Sequence, residues 1–400
     1  MERNDYRIVQ FTMIGHATFH VYELTIPLFV VIWLDVFDVS PAVLGAVVAV
    51  GYGLIGLGAL PSGALADRYG SKRLVVASMA GMGGGFVLIA VAPSLPLLGV
   101  ALVLWGAAAS LYHPAGLSLI TRGAKRRGTA LAYHGAAGNV GTALGPLAAA
   151  VALTFLDWRL VATLFALPAL VGVLAASRLT FDETAATDPA DGDALDGLGE
   201  FVERTRLLFV GSFVVVFVIA MLAGTYYRGV FTFLPGVLAE LPVFEPVAFA
   251  GETFEPSQYA YAGLLLVGAV GQYAGGRVSD ARSPERAIVG VFALLVLVSL
   301  AFPVASRAGL LATLVACGAL GFFIYMEAPI HQALIGKYAR ADVHGLSFGY
   351  AYLGVFGIGA AGASIAGIAL TVGGTALLFA VLATLPAGGL ALAVYLTFSS

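Results

Sequence analysis

Long apolar stretches, each about the length of a membrane-spanning helix, alternate with short polar stretches along the whole chain. A helix needs about 20 mostly apolar residues to cross a bilayer. The pattern predicts twelve spanning helices, at residues 8–35, 41–66, 74–92, 97–121, 128–153, 159–177, 207–235, 258–278, 286–305, 309–336, 344–370 and 374–397. The chain lacks the alternating ten-residue segments of a membrane barrel. We therefore predict an all-α membrane protein of twelve transmembrane helices.

Composition excludes a soluble fold. Hydrophobic residues make up 60% of the chain and charged residues 11%, against roughly 25% charged in soluble proteins. The 51 glycines lie largely inside the apolar stretches, where small residues allow helices to pack closely. The single cysteine, Cys317, excludes an intramolecular disulfide. The charged start at Met1 has no cleavage site after it, so we expect it to be retained.

A short charged turn occurs twice. The first copy, Gly63 to Arg73, has a weaker counterpart at Gly276 to Arg282, 213 positions later. A repeat of half the chain predicts two related halves. We predict a six-helix bundle at residues 1–180, an acidic cytoplasmic linker at 181–205, and a second six-helix bundle at 206–400.

The distribution of basic residues predicts the orientation. Of the 20 Lys and Arg residues, all but Arg159, Arg228 and Arg307 lie in segments that share the side of the N-terminus. Basic loops stay on the cytoplasmic side of a membrane. We therefore expect both termini in the cytoplasm and the protein in the cytoplasmic membrane.

The turn reads Gly-x-Leu-x-Asp-Arg-x-Gly-x-Lys-Arg and lies between the second and third predicted spans. In this position it resembles the signature of the major facilitator superfamily. The resemblance covers the whole chain and implies two pseudo-symmetric bundles, alternating access and a cytoplasmic gate. The gate residues it implies are Gly63, Asp67, Arg68, Gly70, Lys72 and Arg73, with Gly276 and Asp280 in the second copy. We expect no enzymatic activity, no cofactor and no resident metal.

Two further motifs resemble fosmidomycin-resistance-type and related prokaryotic permeases. They are Tyr112-His113-Pro114-Ala115-Gly116 and His-Gly-x-x-Gly-Asn from His134 to Asn139. Proton-driven drug antiporters of the superfamily usually carry an arginine in span four, and residues 105–116 contain none. The motifs favour export over uptake.

Few titratable side chains lie deep in the predicted spans. Charges at that depth are costly and normally face an aqueous cavity or a partner. The candidates for contact with substrate or protons are His16, His20, Glu23, His113, His134, Asn139, Arg228, Glu327 and His331.

His16, His20 and Glu23 are spaced i, i+4 and i+7, so they share one face of the first helix. They form either a titratable cavity wall, with Glu23 carrying protons or contacting substrate, or a buried network that joins helices. His113, His134 and Asn139 also fit either contact with substrate or helix packing.

Arg228 is a fixed donor that suits a carboxylate or a phosphonate, unless Glu23 or Glu327 neutralises it. Glu327 and His331 are one helical turn apart. An acid in an apolar site can load and release a proton as its environment changes. We therefore predict proton coupling through Glu23 and Glu327.

The sequence thus predicts a secondary transporter for a small organic solute, with an anion as one candidate class. Its expected partners are that solute, protons and the lipid bilayer; we expect a monomer and no contact with nucleic acid. An energy-independent facilitator is one alternative. The other is a metal-ion transporter that uses His16, His20 and Glu23 with Glu327 and His331, all of which are metal-ligand types.

Overall fold

The computed structural model describes residues 1–186, 198–339 and 344–399, and these are predominantly α-helical. The helices of the first half are α1 (Arg3–Val36), α2 (Pro41–Leu57), α3 (Ala59–Tyr69), α4 (Ser71–Val91), α5 (Leu95–Ala109), α6 (Tyr112–Gly123), α7 (Arg127–Phe155), α8 (Trp158–Leu164) and α9 (Ala166–Arg178). The remaining helices are α10 (Leu198–Leu208), α11 (Ser212–Ala239), α12 (Pro256–Ala281), α13 (Pro284–Ala305), α14 (Leu310–Tyr338), α15 (His344–Tyr352) and α16 (Ala361–Ser399).

Within the described residues, nine helical stretches are long and apolar enough to cross a membrane, or ten when the bent pair α2 and α3 is one span. The last stretch, 346–398, is longer than a single span needs. It is broken inside α16 at Gly373 and Gly374, and Gly374 has a φ of 64° that favours glycine. These findings confirm the all-α membrane class, and the count of twelve is consistent with them.

By its internal contacts the chain divides into two compact units. Unit 1 comprises residues 1–25 and 50–202, and unit 2 comprises residues 26–49 and 203–400. The inclusion of 26–49 in unit 2 has a visible basis: the Ala42 amide donates to Thr371 Oγ1 at 3.0 Å, and a Cβ at Gly367 would overlap the carbonyl group of Pro41.

One end of unit 1 is held together by side chains that cap backbone groups. The Asp5 carboxylate accepts from the Lys125 and Arg126 amides at 3.0 and 3.3 Å, just before α7. The Glu183 carboxylate accepts from the Ser71 and Lys72 amides at 2.8 and 3.4 Å, at the start of α4. A carboxylate at a helix N-terminus meets unpaired amides and the positive end of the helix dipole. The first residues of the predicted linker are therefore fixed to unit 1.

The rest of the predicted linker is described only in part. Residues 187–197 lie outside the described residues, and Leu198–Leu208 forms α10. Asp182 accepts from the backbone amide and the hydroxyl of Thr184 at 2.9 Å each, and these bonds lower the pKa of its carboxyl. In unit 2, Thr205 of α10 hydrogen-bonds the Tyr350 hydroxyl of α15 at 2.9 Å.

The segment between α11 and α12 is acidic, with Glu240, Glu245, Glu252 and Glu255. It contains a short 3-10 helix, Pro242–Phe244, and an antiparallel hairpin of β1 (Val247–Phe249) and β2 (Glu252–Phe254). Ala250 and Gly251 form its two-residue turn with φ values of 54° and 87°. Two positive φ values identify a turn whose twist matches that of paired strands.

Glycines allow close approach of α1 and α7. A Cβ at Gly141 would lie 2.8 Å from the carbonyl carbon of Ala17, and one at Gly145 would lie 2.7 Å from the Cα of Val21. Real Cβ atoms do not approach a backbone this closely, so these positions require glycine. This fits the expectation that glycines in the spans serve packing.

The Gly141→Ala variant is expected to lower the free energy of unfolding by about 1–3 kcal/mol, because the added methyl forces α1 and α7 apart. Gly135, in the same helix, has open space where its Cβ would be. Gly135→Ala is therefore the matched control and should be neutral or slightly stabilising through helix propensity. Thermal melting in detergent measures both; equal melting temperatures for the two variants would contradict the packing argument.

Candidate functional site

Four histidines meet in unit 1. The His16 and His20 rings on α1 lie with their Nε2 atoms 3.2 Å apart, and His20 Nδ1 lies 2.9 Å from Glu23 Oε2. The centroid of the His113 ring, from α6, lies 5.2 Å from that of His16, and the His134 ring, from α7, stacks on His16 at 3.8 Å. The structure thus unites the predicted face of α1 with two histidines that are distant in sequence.

Hydrogen bonds outside the cluster determine which nitrogens carry protons. His16 Nδ1 donates to the carbonyl oxygen of His134 at 2.7 Å, which leaves His16 Nε2 as an acceptor. Tyr112 donates its hydroxyl proton to the Thr12 carbonyl at 2.6 Å. His134 Nε2, 3.1 Å from the same hydroxyl oxygen, must therefore be the donor in that contact. His134 Nε2 thus donates its proton to Tyr112, whereas His16 Nε2 directs a lone pair toward His20 Nε2.

The His16 ring packs directly against Gly138. A Cβ at Gly138 would lie 2.5 Å from Cε1 of His16, so the ring occupies the space that any other residue would fill. Asn139, the next residue on α7, is half-buried. Glu23 is fully buried, and its backbone carbonyl accepts from the Tyr52 hydroxyl at 2.8 Å. The cluster is therefore fixed from α1, α2, α6 and α7.

In unit 2, Arg228 lies on α11 with 2% of its surface exposed. Its guanidinium lies 5.3 Å from the centroid of the Tyr227 ring, a cation–π distance. Tyr227 and Phe231 also contact the ring of Tyr325 on α14, with centroids 6.2 and 6.0 Å apart. Arg228 is thus a buried cation on a helix that packs against α14.

Two residues after Tyr325, Glu327 begins an acid–histidine pair. Its Oε1 lies 2.9 Å from Nδ1 of His331, and the two side chains are 12% and 5% exposed. Among the described residues, no group hydrogen-bonds the buried Nε2 of His331. The pair can therefore hold a proton between its members and still offers one ring nitrogen.

The charged turn between α3 and α4 has Asp67 in an ion pair with Arg122 at the end of α6, at 2.8 Å. Arg122 also donates to the Ser71 hydroxyl at 3.1 Å. Gly70 joins the two helices with a φ of 89°, and Lys72 donates to the Leu179 carbonyl. Arg68 lies over the Tyr69 ring at 5.3 Å. Arg73 is exposed and Gly63 is half-buried. The turn thus connects α3, α4 and α6.

Two acids lie in or next to the second copy of the turn, Asp280 and Glu285. Asp280 is exposed and Gly276 half-buried at the end of α12. Glu285 follows this copy in the first turn of α13 and is buried; it accepts from Lys337 Nζ at 2.5 Å and from the Tyr338 hydroxyl at 2.8 Å. Lys337 occupies the repeat position of Arg122, 215 residues later. The basic residue at the end of α6 thus pairs with an acid on α3, whereas its counterpart at the end of α14 pairs with an acid on α13.

Sequence reasoning gave Arg122, Glu285, Lys337 and Asp5 no individual role. Their signal was weak because each is one charge among many at the ends of predicted spans. The repeat offset was the one usable signal, since it aligns Lys337 with Arg122.

Replacing Asp67 by asparagine is expected to slow transport several-fold while leaving solute binding unchanged. The Asp67 side chain is 53% exposed, and exposed ion pairs contribute only about 0–1 kcal/mol to stability. Its loss should therefore act on conformational exchange rather than on folding. Initial transport rates and equilibrium binding in proteoliposomes measure the two effects, with the exposed Asp35→Asn as control; an equal loss of binding would exclude a gate role.

Comparisons with known proteins agree with these features. The sequence profile described as Major Facilitator Superfamily matches residues 13–363. The chain is 36% identical over 118 residues to the uncharacterized MFS-type transporter Rv0849 of Mycobacterium tuberculosis, which is 29% of this chain and 27% of that protein. The chain thus aligns with about a quarter of the length of this relative.

Solved structures share the fold over nearly the whole chain. A bacterial homologue of the human lysosomal transporter Spinster, in an inward-facing and occupied conformation, matches with a TM-score of 0.72 and 15% identity over 100% of this chain and 96% of that one. The peptide transporter POT in complex with sulfate matches with a TM-score of 0.74 and 14% identity over 98% and 94%. At this identity the likeness extends to the fold alone.

Proposed function

Because the chain belongs to the major facilitator superfamily, we propose that it is a proton-coupled secondary transporter of a small organic anion, which works by alternating access. Membrane transport of a solute follows from the family. The observation that carries the finer proposal is the Glu327–His331 pair in unit 2, in which His331 is buried and Glu327 is 12% exposed, together with buried Arg228 in the same unit.

Charge balance supports coupling of the anion to a proton. A guanidinium keeps its charge in proteins, so Arg228 contributes a fixed +1. The Glu327–His331 pair carries −1 when the acid alone is ionised and 0 after it takes up one proton. The net charge of Arg228, Glu327 and His331 is therefore zero when neither the solute nor that proton is bound. The net charge is again zero when one monovalent anion and one proton are bound together. Uncompensated charge at membrane depth is costly, so anion and proton should bind together.

Co-binding implies co-transport, in which an inward proton gradient drives import. Export, the direction favoured by the motifs around Tyr112 and His134, would instead require the proton and the solute to compete. An energy-independent facilitator would show neither relation. The positive-inside pattern supports a cytoplasmic location for both termini in this proposal.

The experiment is a thermal-shift screen of the purified protein at two pH values, followed by transport in proteoliposomes. The panel contains carboxylates and phosphonates, fosmidomycin included, against neutral sugars and cationic drugs. Stabilisation by anions that is stronger at the lower pH, and uptake driven by an imposed inward proton gradient, would support the proposal. Stabilisation only by cations or sugars, or uptake indifferent to the gradient, would contradict it.

A further inference from the structure

We propose that His16, His20 and His113 form a binding site for a divalent transition-metal ion in unit 1, with Zn²⁺ as the simplest occupant. The ligand nitrogens of the three residues lie within 4.8 Å of one another. This site contains none of the anion and proton groups of unit 2. The inference therefore does not rest on the proposed transport function.

The spacing of the two α1 histidines already matches a tetrahedral site. Zinc binds imidazole nitrogen at about 2.0–2.1 Å, which places two tetrahedral ligand atoms about 3.3–3.4 Å apart. His16 Nε2 and His20 Nε2 are 3.2 Å apart. The i, i+4 spacing on α1 holds this distance, because residues four apart lie on one face of a helix.

The remaining ring nitrogens of both histidines make the contacts that orient metal ligands. His16 Nδ1 donates to the carbonyl oxygen of His134, and His20 Nδ1 lies at hydrogen-bond distance from the Glu23 carboxylate. Histidine ligands usually donate their second N–H to a carbonyl or a carboxylate, which fixes the tautomer. When both Nδ1 atoms donate, the two Nε2 lone pairs face each other. A cation between them relieves that repulsion.

A shared proton is the competing explanation for the 3.2 Å contact. It requires His20 to donate through Nε2, and then the His20–Glu23 pair must hold an additional proton on Nδ1 or on the carboxyl. The metal arrangement needs no additional proton, and the Glu23 carboxylate offsets part of the ion's charge. In this arrangement Glu23 orients His20 and does not carry a proton for transport.

His113 provides the third ligand, and packing around the His16 ring holds the site in place. His113 is 5% exposed, and its ring lies 5.2 Å from His16 and 5.9 Å from His20 by centroids. Gly138 leaves room for the His16 ring, which stacks on His134. His20, with 17% of its side chain exposed, is the point of access. Three imidazoles suit Zn²⁺, Cu²⁺ or Ni²⁺ and disfavour Mg²⁺, which prefers oxygen ligands.

The test uses the full-length protein without a histidine tag, in detergent, titrated with Zn²⁺ against a competing chromogenic chelator. We expect one Zn²⁺ per chain, and a visible absorption band typical of four-coordinate Co²⁺ when Co²⁺ replaces it. His20→Ala and His113→Ala should each abolish binding. Glu23→Gln should weaken it about 10- to 100-fold, the usual effect of removing an orienting partner.

Cys317→Ala is the control, because Cys317 is a buried residue of a metal-ligating type that lies outside the histidine cluster. It should bind Zn²⁺ like the parent protein, and Mg²⁺ should not compete. Melting temperatures without metal identify variants that fail to fold, and Gly138→Ala then provides a second test by displacing the His16 ring. Absence of stoichiometric Zn²⁺ binding, or binding that persists in a His16→Ala/His20→Ala variant, would overturn the proposal.

Discussion

Replacing Arg228 by alanine is expected to weaken binding of an anionic solute by about 2 kcal/mol or more, which is roughly 30-fold or more in Kd. Arg228 is 2% exposed, so its interaction with an anion is little screened by solvent. A planar guanidinium also offers two parallel donors to a carboxylate or a phosphonate. Isothermal titration with the best anion from the thermal-shift screen measures the change.

The controls separate charge from geometry. Arg228→Lys keeps the positive charge but not the paired donors, so its affinity should fall between those of the parent and of Arg228→Ala. Arg307→Ala removes an exposed arginine and should leave affinity unchanged. Unaltered anion affinity in a correctly folded Arg228→Ala variant would exclude the contact between Arg228 and the solute.

Replacing Glu327 by glutamine is expected to abolish accumulation driven by a proton gradient while solute exchange across the membrane continues. The glutamine keeps the size of the side chain and can still hydrogen-bond His331, but it cannot take up a proton. The variant therefore lacks the carboxyl group that would take up the proton required for each bound anion. Radiolabelled uptake under an imposed pH gradient, compared with counterflow at equal pH, measures the two activities.

Two variants indicate whether the pair acts as a unit. His331→Ala should also lose coupling, because it removes the partner 2.9 Å from the Glu327 carboxyl. Glu240→Gln serves as control, since this glutamate is exposed just after α11. Coupled accumulation that survives in Glu327→Gln would show that the proton is carried elsewhere.

The sequence alone determined the class of the fold and the position of most helices. Runs of apolar residues near the length of a bilayer are sufficient for this, since an apolar span must satisfy its backbone hydrogen bonds internally. The sequence also determined that His16, His20 and Glu23 share a face, because the period of an α-helix is fixed. The sequence was likewise sufficient to predict the repeat around Asp67 and Asp280 and the family of the chain.

Only the tertiary structure decided which distant residues join these groups. His113 on α6 and His134 on α7 contact the His16 ring. Asp67 forms its ion pair with Arg122 rather than with a basic residue of its own turn. The sequence could not predict these contacts, because a membrane helix is apolar on nearly all sides and its pattern does not fix how it is rotated against its neighbours. That rotation is set by close contacts such as Gly141 on Ala17 and Gly138 on His16, which exist only once the helices are packed.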